Sequence, residues 1–327
     1  MVTGVQTCAL PICPSDDRLF RIGTGIFPAL VLLMAIGIGF ELTRQSSLSI
    51  EKFGLSFWTG RTWNPVSGEF GALPFIWGTL YAALLALILS TPVALGIAIY
   101  ISELSPRMLR QPLTYLTELL AAIPSIVYGL WGIFVLTPIV RRLELLVPEP
   151  LRKLPLFSGP PVGVGMGAAA IILSIMVVPF TSSVAREILK NVPSAQREAA
   201  YALGATRWEA IQAAISFGKT GIIGAIMLGL GRALGETMAV TMVIGNAPAV
   251  ALSLFKPQYT MAAVIANEFT EAADDLYRNA LIEIGLLLFI ITIAVNVASR
   301  LLIWSTKRRA VQRPVIFPII REEEAAA

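Results

Sequence analysis

Six stretches nearly free of charge follow one another along the chain, and each is long enough to cross a bilayer. A helix needs about 20 mostly apolar residues to span the hydrocarbon core. The pattern predicts spans at about 22–40, 72–101, 112–138, 162–183, 220–247 and 281–304. Charges inside them are few: Glu118 in the third, Arg232 and Glu236 in the fifth, Glu283 and Arg300 toward the ends of the sixth. The runs lack strand alternation, and backbone in lipid must be paired internally, so helices are expected rather than barrel strands. The fold class is therefore an all-α membrane protein of six transmembrane helices. Pro92, Pro124, Pro138 and Pro179 lie within the spans. Proline is tolerated in membrane helices; it also suits helices broken around a translocation path.

Composition supports this reading and removes several function classes. Of 327 residues, 56% are hydrophobic and 14% charged, against about a quarter charged in soluble domains. There is no histidine, which excludes Ser-His-Asp hydrolases, HExxH metalloproteases and His-ligated metal or haem. No catalytic residue and no metal ligand is assigned. Residues 2–12, VTGVQTCALPI, back-translate to a common sequencing-adapter oligonucleotide read in frame. Residues 1–13 are expected to be that artefact, so Cys8 and Cys13 carry no weight. The remaining chain divides into an N-terminal helix with an outer loop (14–71), a core (72–305) and a tail (306–327).

Basic residues set the orientation. With the N-terminus in the cytoplasm, cytoplasmic segments hold 14 Lys and Arg and outer segments 9. The bias favours N-in and C-in, with Lys307-Arg308-Arg309 as a stop anchor. The segment 184–219 between spans four and five is then cytoplasmic. Pro193-Ser194 starts a short helix, with Ser194 as a candidate N-cap. Gly204 ends it, and a second short helix runs from Trp208 to Ile215. The small residues of the first helix suit docking into a partner's groove.

That loop carries a resemblance. Glu198-Ala199-Ala200 followed by Gly204 resembles the EAA motif of ABC-importer permeases. The closing I-x-L-P element of that motif is replaced here by Ala214-Ile215-Ser216-Phe217. The run from Gly229 to Val240, GLGRALGETMAV, closely resembles the signature of phosphate-specific permeases of the PstC type, as do Ala121 to Gly132 and the stretch from Gly78 to Pro106. The PstA-type sister family shares a similar element. The resemblance implies a type I ABC importer permease fold. It also implies a path for inorganic phosphate, a PstA-like partner permease, an ATPase dimer and an extracytoplasmic phosphate-binding protein. In such permeases the EAA helix, here Glu198, Ala199, Ala200 and Gly204, docks into the ATPase and transmits its closure. No Walker motif is present, so ATP-Mg is expected on the ATPase and no cofactor on this chain.

Within span five, Arg232 and Glu236 stand four apart, on nearly one helical face. One reading is a self-paired bridge. The other is that Arg232 offers its fork to an anion in transit, with Glu236 holding Arg232 while the site is empty. In the phosphate permeases both positions are implicated in transport. Gly231 and Gly235 form a close-packing pair. Ser125 and Tyr128, beside Pro124, are weaker candidates for the path; such hydroxyls more often satisfy carbonyls freed by proline. The stretch from Tyr259 to Ala273 has helical periodicity and either dips into the membrane or lies on it. Competing functions are a permease for sulfate, molybdate or phosphonate, an intramembrane enzyme and a standalone channel.

Overall fold

The computed structural model describes residues 14–311, so the adapter-like segment and most of the basic tail lie outside the described residues. Helix α1 spans Pro14–Gln45, and the short helices α2 (Ser47–Phe53) and α3 (Ser56–Thr59) follow. A hairpin of β1 (Trp63–Asn64) and β2 (Glu69–Phe70) leads into α4 (Leu73–Ile99), which ends in a π turn, Tyr100–Leu104. Next come α5 (Arg107–Ala122), α6 (Ser125–Trp131), a second π turn (Gly132–Leu136), α7 (Thr137–Leu146) and α8 (Glu149–Arg152). The rest comprises α9 (Met166–Lys190), α10 (Ser194–Ala202), α11 (Arg207–Leu234), α12 (Met238–Val243), α13 (Met261–Glu268) and α14 (Asp275–Val311). Among the described residues, six segments are long and apolar enough to cross a membrane: Gly23–Gln45, Leu73–Leu104, Ser125–Leu146, Met166–Lys190, Arg207–Leu234 and Asp275–Ser305.

The core is built on α9, with α4 and α11 against it. Ala82, Ala83 and Ala86 of α4 meet Ala169, Ile172, Leu173 and Met176 of α9. Small residues let membrane helices approach closely where no hydrophobic drive separates them from lipid. Gly229 of α11 shows the requirement directly: a Cβ there would lie 2.4 Å from Thr181 Oγ1. A second cluster sits at the hairpin end. Trp63 packs edge-on against Phe70 and Phe75, at ring separations of 4.9 and 4.8 Å. Glu268 anchors that cluster, accepting from Trp63 Nε1 at 2.8 Å and from the Tyr277 hydroxyl at 2.6 Å.

The third stretch departs from the expected single helix over 112–138. It is divided at Ile123-Pro124, where Ile123 is extended (φ −65°, ψ 129°). A residue before proline is pushed out of the α region. The spanning segment therefore begins at Ser125, and α5 is a separate amphipathic helix. Pro138 does not divide the chain in this way: Thr137 stays helical (φ −57°, ψ −46°), the π turn Gly132–Leu136 precedes it, and Thr137 Oγ1 donates to the Gly132 carbonyl at 3.1 Å. The fourth helix runs Met166–Lys190 rather than 162–183, starting only after Gly163 and Gly165.

The fifth stretch differs most. The second short helix of the loop, expected to stop at Ile215, is continuous with the span: α11 runs unbroken from Arg207. No proline stands at its expected end, and Thr206 starts it with a full capping box to Glu209. At the other end α11 stops at Leu234 rather than 247, and α12 begins only at Met238. Ser194 is the first helical residue of α10, not its cap; Pro193 holds the cap position and no side chain bonds there. The periodic stretch after Tyr259 forms α13, buried between α4 and α14 rather than lying on a surface. Its Met261 N–H donates to Thr79 Oγ1 at 2.9 Å, and Gly78 meets the Tyr259 carbonyl so closely that no side chain would fit.

Candidate translocation site and coupling loop

The EAA residues occupy one end of the bundle. Glu198 and Ala199 are exposed on α10, and Ala200 is half-buried. Gly204 closes the helix in the left-handed region, φ +82°. The Gly204 N–H bonds to the Tyr201 carbonyl at 2.9 Å and the Ala205 N–H to the Ala200 carbonyl at 3.0 Å, the two bonds of a Schellman stop. Leu203 beside it is 89% exposed. An apolar side chain is thus held in the open at a fixed turn.

Two residues not singled out in the sequence fix this helix to the bundle. Arg197 donates through Nε to Glu103 Oε2 at 3.1 Å and through Nη2 to Oε1. It also reaches the carbonyls of Leu189 and Val192, at the end of α9. Arg207, opening α11, donates to the Glu103 carbonyl at 2.9 Å. Glu103 in the π turn after α4 thus gathers both loop helices. No local sequence signal joins positions so far apart.

The second centre is the gap between α11 and α12. Gly235 sits at φ −93°, ψ 2°, outside the helical basin, and Thr237, at φ −111°, ψ −65°, lies at its edge. Glycine and a β-branched residue are poor helix formers, and Glu236 supplies a replacement bond: its Oε1 accepts from the Ala239 N–H at 3.3 Å. Arg232 lies in the last turn of α11. Its guanidinium stands over the Phe180 ring, 5.6 Å from the centroid, near the middle of α9. The expected pairing of Arg232 with Glu236 does not form. The helix that would put them on one face ends between them, and Glu236 caps α12 instead. Arg232 is exposed in the isolated chain and makes no hydrogen bond or ion pair among the described residues.

Tyr128 joins this region through α6. Gly129 allows α6 to press against α12, since a Cβ there would meet Met242 Sδ at 2.7 Å and Ala239 Cα at 3.1 Å. The Tyr128 hydroxyl donates to the Leu120 carbonyl at 2.8 Å, the acceptor that Pro124 leaves without its helical N–H. The proton of Tyr128 is therefore committed to backbone. Ser125 opens α6, half-buried, and no contact joins it to Arg232. Among the described residues Gly231 and Gly235 pack against no other helix: a Cβ on Gly231 meets no atom within 4 Å, and one on Gly235 only its own helix. Close packing between α11 and α9 falls to Gly218, Gly221 and Gly229. The small face of Gly231 is open beside Arg232.

An exposed guanidinium level with the middle of α9 narrows the class of molecule. Arginine facing lipid at the bilayer centre costs about 2.5–3.5 kcal/mol on insertion scales, so this face belongs to a polar path or a covering partner. The profile of the family described as binding-protein-dependent transport system inner membrane component matches residues 93–308. The phosphate transport system permease protein PstC of Mesorhizobium japonicum is 44% identical over 290 residues, covering 87% of this chain and 89% of that protein. PstC of Pasteurella multocida is 45% identical over 299 residues, covering 90% and 93%. The probable PstC of Methanocaldococcus jannaschii is 35% identical over 279 residues, covering 83% and 88%. A chain of the MetNI methionine ABC transporter, inward facing, shares the fold at TM-score 0.53 and 18% identity, over 73% of this chain and 94% of its own. The chain belongs to the binding-protein-dependent inner membrane permeases of ABC importers, and within them to the PstC permease proteins.

Proposed function

We propose that this chain forms one half of the membrane path of an ATP-driven importer of inorganic phosphate. Arg232 is the observation that carries the reading. It is a guanidinium level with the middle of α9, at a helix break, exposed and with no carboxylate bound to it among the described residues. Its fork of donors matches phosphate oxygens. Gly231 leaves room for the helix of a PstA-like sister permease to close the other side. Glu236 sets negative charge beside the path and keeps the anion from binding too tightly, since conduction needs release as well as entry. Ser125 and Tyr128 stand as lesser lining groups.

Both termini face the cytoplasm in this reading, and the exposed α10 surface docks on an ATPase dimer. ATP-Mg is bound and hydrolysed there, and this chain carries no cofactor of its own. A phosphate-binding protein delivers the anion from the opposite side. The test is uptake of labelled phosphate by the reconstituted complex, with and without ATP and the binding protein. Arg232→Gln is expected to abolish uptake while the complex still assembles; near-normal uptake removes Arg232 from the path. Competition by sulfate or molybdate as strong as by phosphate would reassign the substrate. Flux through this chain alone without ATP would make it a channel.

A further inference from the structure

A cavity of about 620 Å³ opens at the coupling-loop end of the molecule, among residues distinct from those around Arg232. It lies between the π turn after α4, the polar face of α5, the end of α9 and the start of α10. Arg107, Arg110, Arg186, Lys190 and Arg197 line it, against two carboxylates, Glu103 and Glu118. Positive charge near a membrane end is enough to set topology. Topology does not require those charges to converge on one cavity.

The carboxylates do not neutralise them. Glu103 is taken up by Arg197. Glu118 meets Arg186 Nη2 at 3.3 Å, Glu187 lies 3.8 Å from the same nitrogen, and Thr114 Oγ1 accepts from Nη1 at 3.3 Å. Lys190 reaches only Glu187, at 3.9 Å, beyond hydrogen-bond range. Arg110 gives one donor to the Ser102 carbonyl at 3.0 Å, and Arg107 makes no hydrogen bond or ion pair among the described residues. Arg186 is the informative member. Its side chain is only 15% exposed, and its Nε is buried without an acceptor. A half-buried guanidinium with one buried N–H left without an acceptor is costly to keep, and an anion entering the cavity offsets that cost.

We propose that this cavity binds a phosphate group, either of an anionic phospholipid or as inorganic phosphate. Arg186 holds it from behind, and Arg110, Arg107 and Lys190 hold it at the mouth. Basic recesses between membrane helices take lipid headgroups in this way. On its other face α5 exposes Met108, Leu109, Leu116 and Leu119, a surface suited to acyl chains beside a headgroup. The Arg197–Glu103 pair lines the same cavity, so an occupant adds negative charge next to the joint that carries the coupling helix. The inference does not rest on the transport role of Arg232.

The test uses the assembled importer carrying Arg232→Gln, so that anion binding in the transport path does not interfere. One arm counts phosphatidylglycerol retained by native mass spectrometry, from nanodiscs of phosphatidylcholine with or without phosphatidylglycerol. The other measures equilibrium binding of labelled orthophosphate. Arg186→Gln, and separately Arg107→Gln with Lys190→Gln, are expected to weaken one of the two probes at least tenfold. Loss confined to phosphatidylglycerol assigns the lipid, and loss confined to orthophosphate assigns the free anion. The double variant changes two exposed side chains, so it decides the matter even if Arg186→Gln does not fold. Both probes unchanged in that variant would overturn the proposal.

Discussion

The Arg197 guanidinium grips the Glu103 carboxylate at two points, joining the EAA helix to the end of α4. The side chains are 23% and 10% exposed, so the pair is largely shielded from solvent. Charge-assisted hydrogen bonds of this kind contribute about 1.5–3 kcal/mol. Arg197→Ala is expected to detach α10 mechanically without removing its docking surface. ATP hydrolysis by the assembled complex should continue, while phosphate uptake in the same proteoliposomes falls at least tenfold. Arg197→Lys should recover part of the loss. Uptake and hydrolysis that fall together would assign the pair to assembly instead.

Gly204 tests the shape of the docking turn. No atom lies within 4 Å of a Cβ at this position, so bulk is not the obstacle. The obstacle is φ +82°, which costs a non-glycine residue about 1–2 kcal/mol. Gly204→Ala should weaken co-purification of the ATPase mildly, Gly204→Val strongly, and Gly204→Asn least of the three, since Asn tolerates this region. An order set by side-chain volume alone would contradict the backbone explanation.

Tyr128→Phe separates structure from transport. The change removes the donor to the Leu120 carbonyl and leaves that acceptor beside Pro124 with only the long 3.4 Å bond from the Ile123 N–H. A loss of about 1 kcal/mol is expected, seen as a lower melting temperature in detergent, with the affinity for phosphate little changed. A large rise in the half-saturating phosphate concentration would instead put the hydroxyl on the path.

Glu268→Ala should loosen the hairpin end. Both Trp63 Nε1 and the Tyr277 hydroxyl lose their acceptor, and two such losses amount to about 2–4 kcal/mol. Tryptophan fluorescence should report unfolding at lower denaturant. Glu268→Gln keeps an acceptor oxygen and should lose less.

The six-span architecture was legible because length and freedom from charge are sufficient signals for a membrane helix. Arg232 and Glu236 were legible for the same reason, as charges where charge is costly. Their relationship was not. Hydropathy does not register the turn at Gly235 to Thr237, and helical arithmetic across it placed on one face two side chains that the backbone separates. Pro124 was visible, but its force depends on Ile123 being driven extended, which splits α5 from α6. The box of Thr206 and Glu209 is a local pattern that predicts the α11 start. The Arg197–Glu103 pair joins distant segments, and only the packing of α4 beside α9 brings them together.

The continuity of α11 has a mechanical consequence. Its 28 residues, from the capping box to the break beside Arg232, make a stiff arm of about 42 Å. A tilt of about 5° at the docking end would carry the other end roughly 4 Å sideways, given that length. That is more than the width of a phosphate hydrogen bond. A proline after the loop would put a joint in the arm and absorb such a tilt. Without one, a tilt imposed at the Thr206 end reaches the guanidinium undiminished.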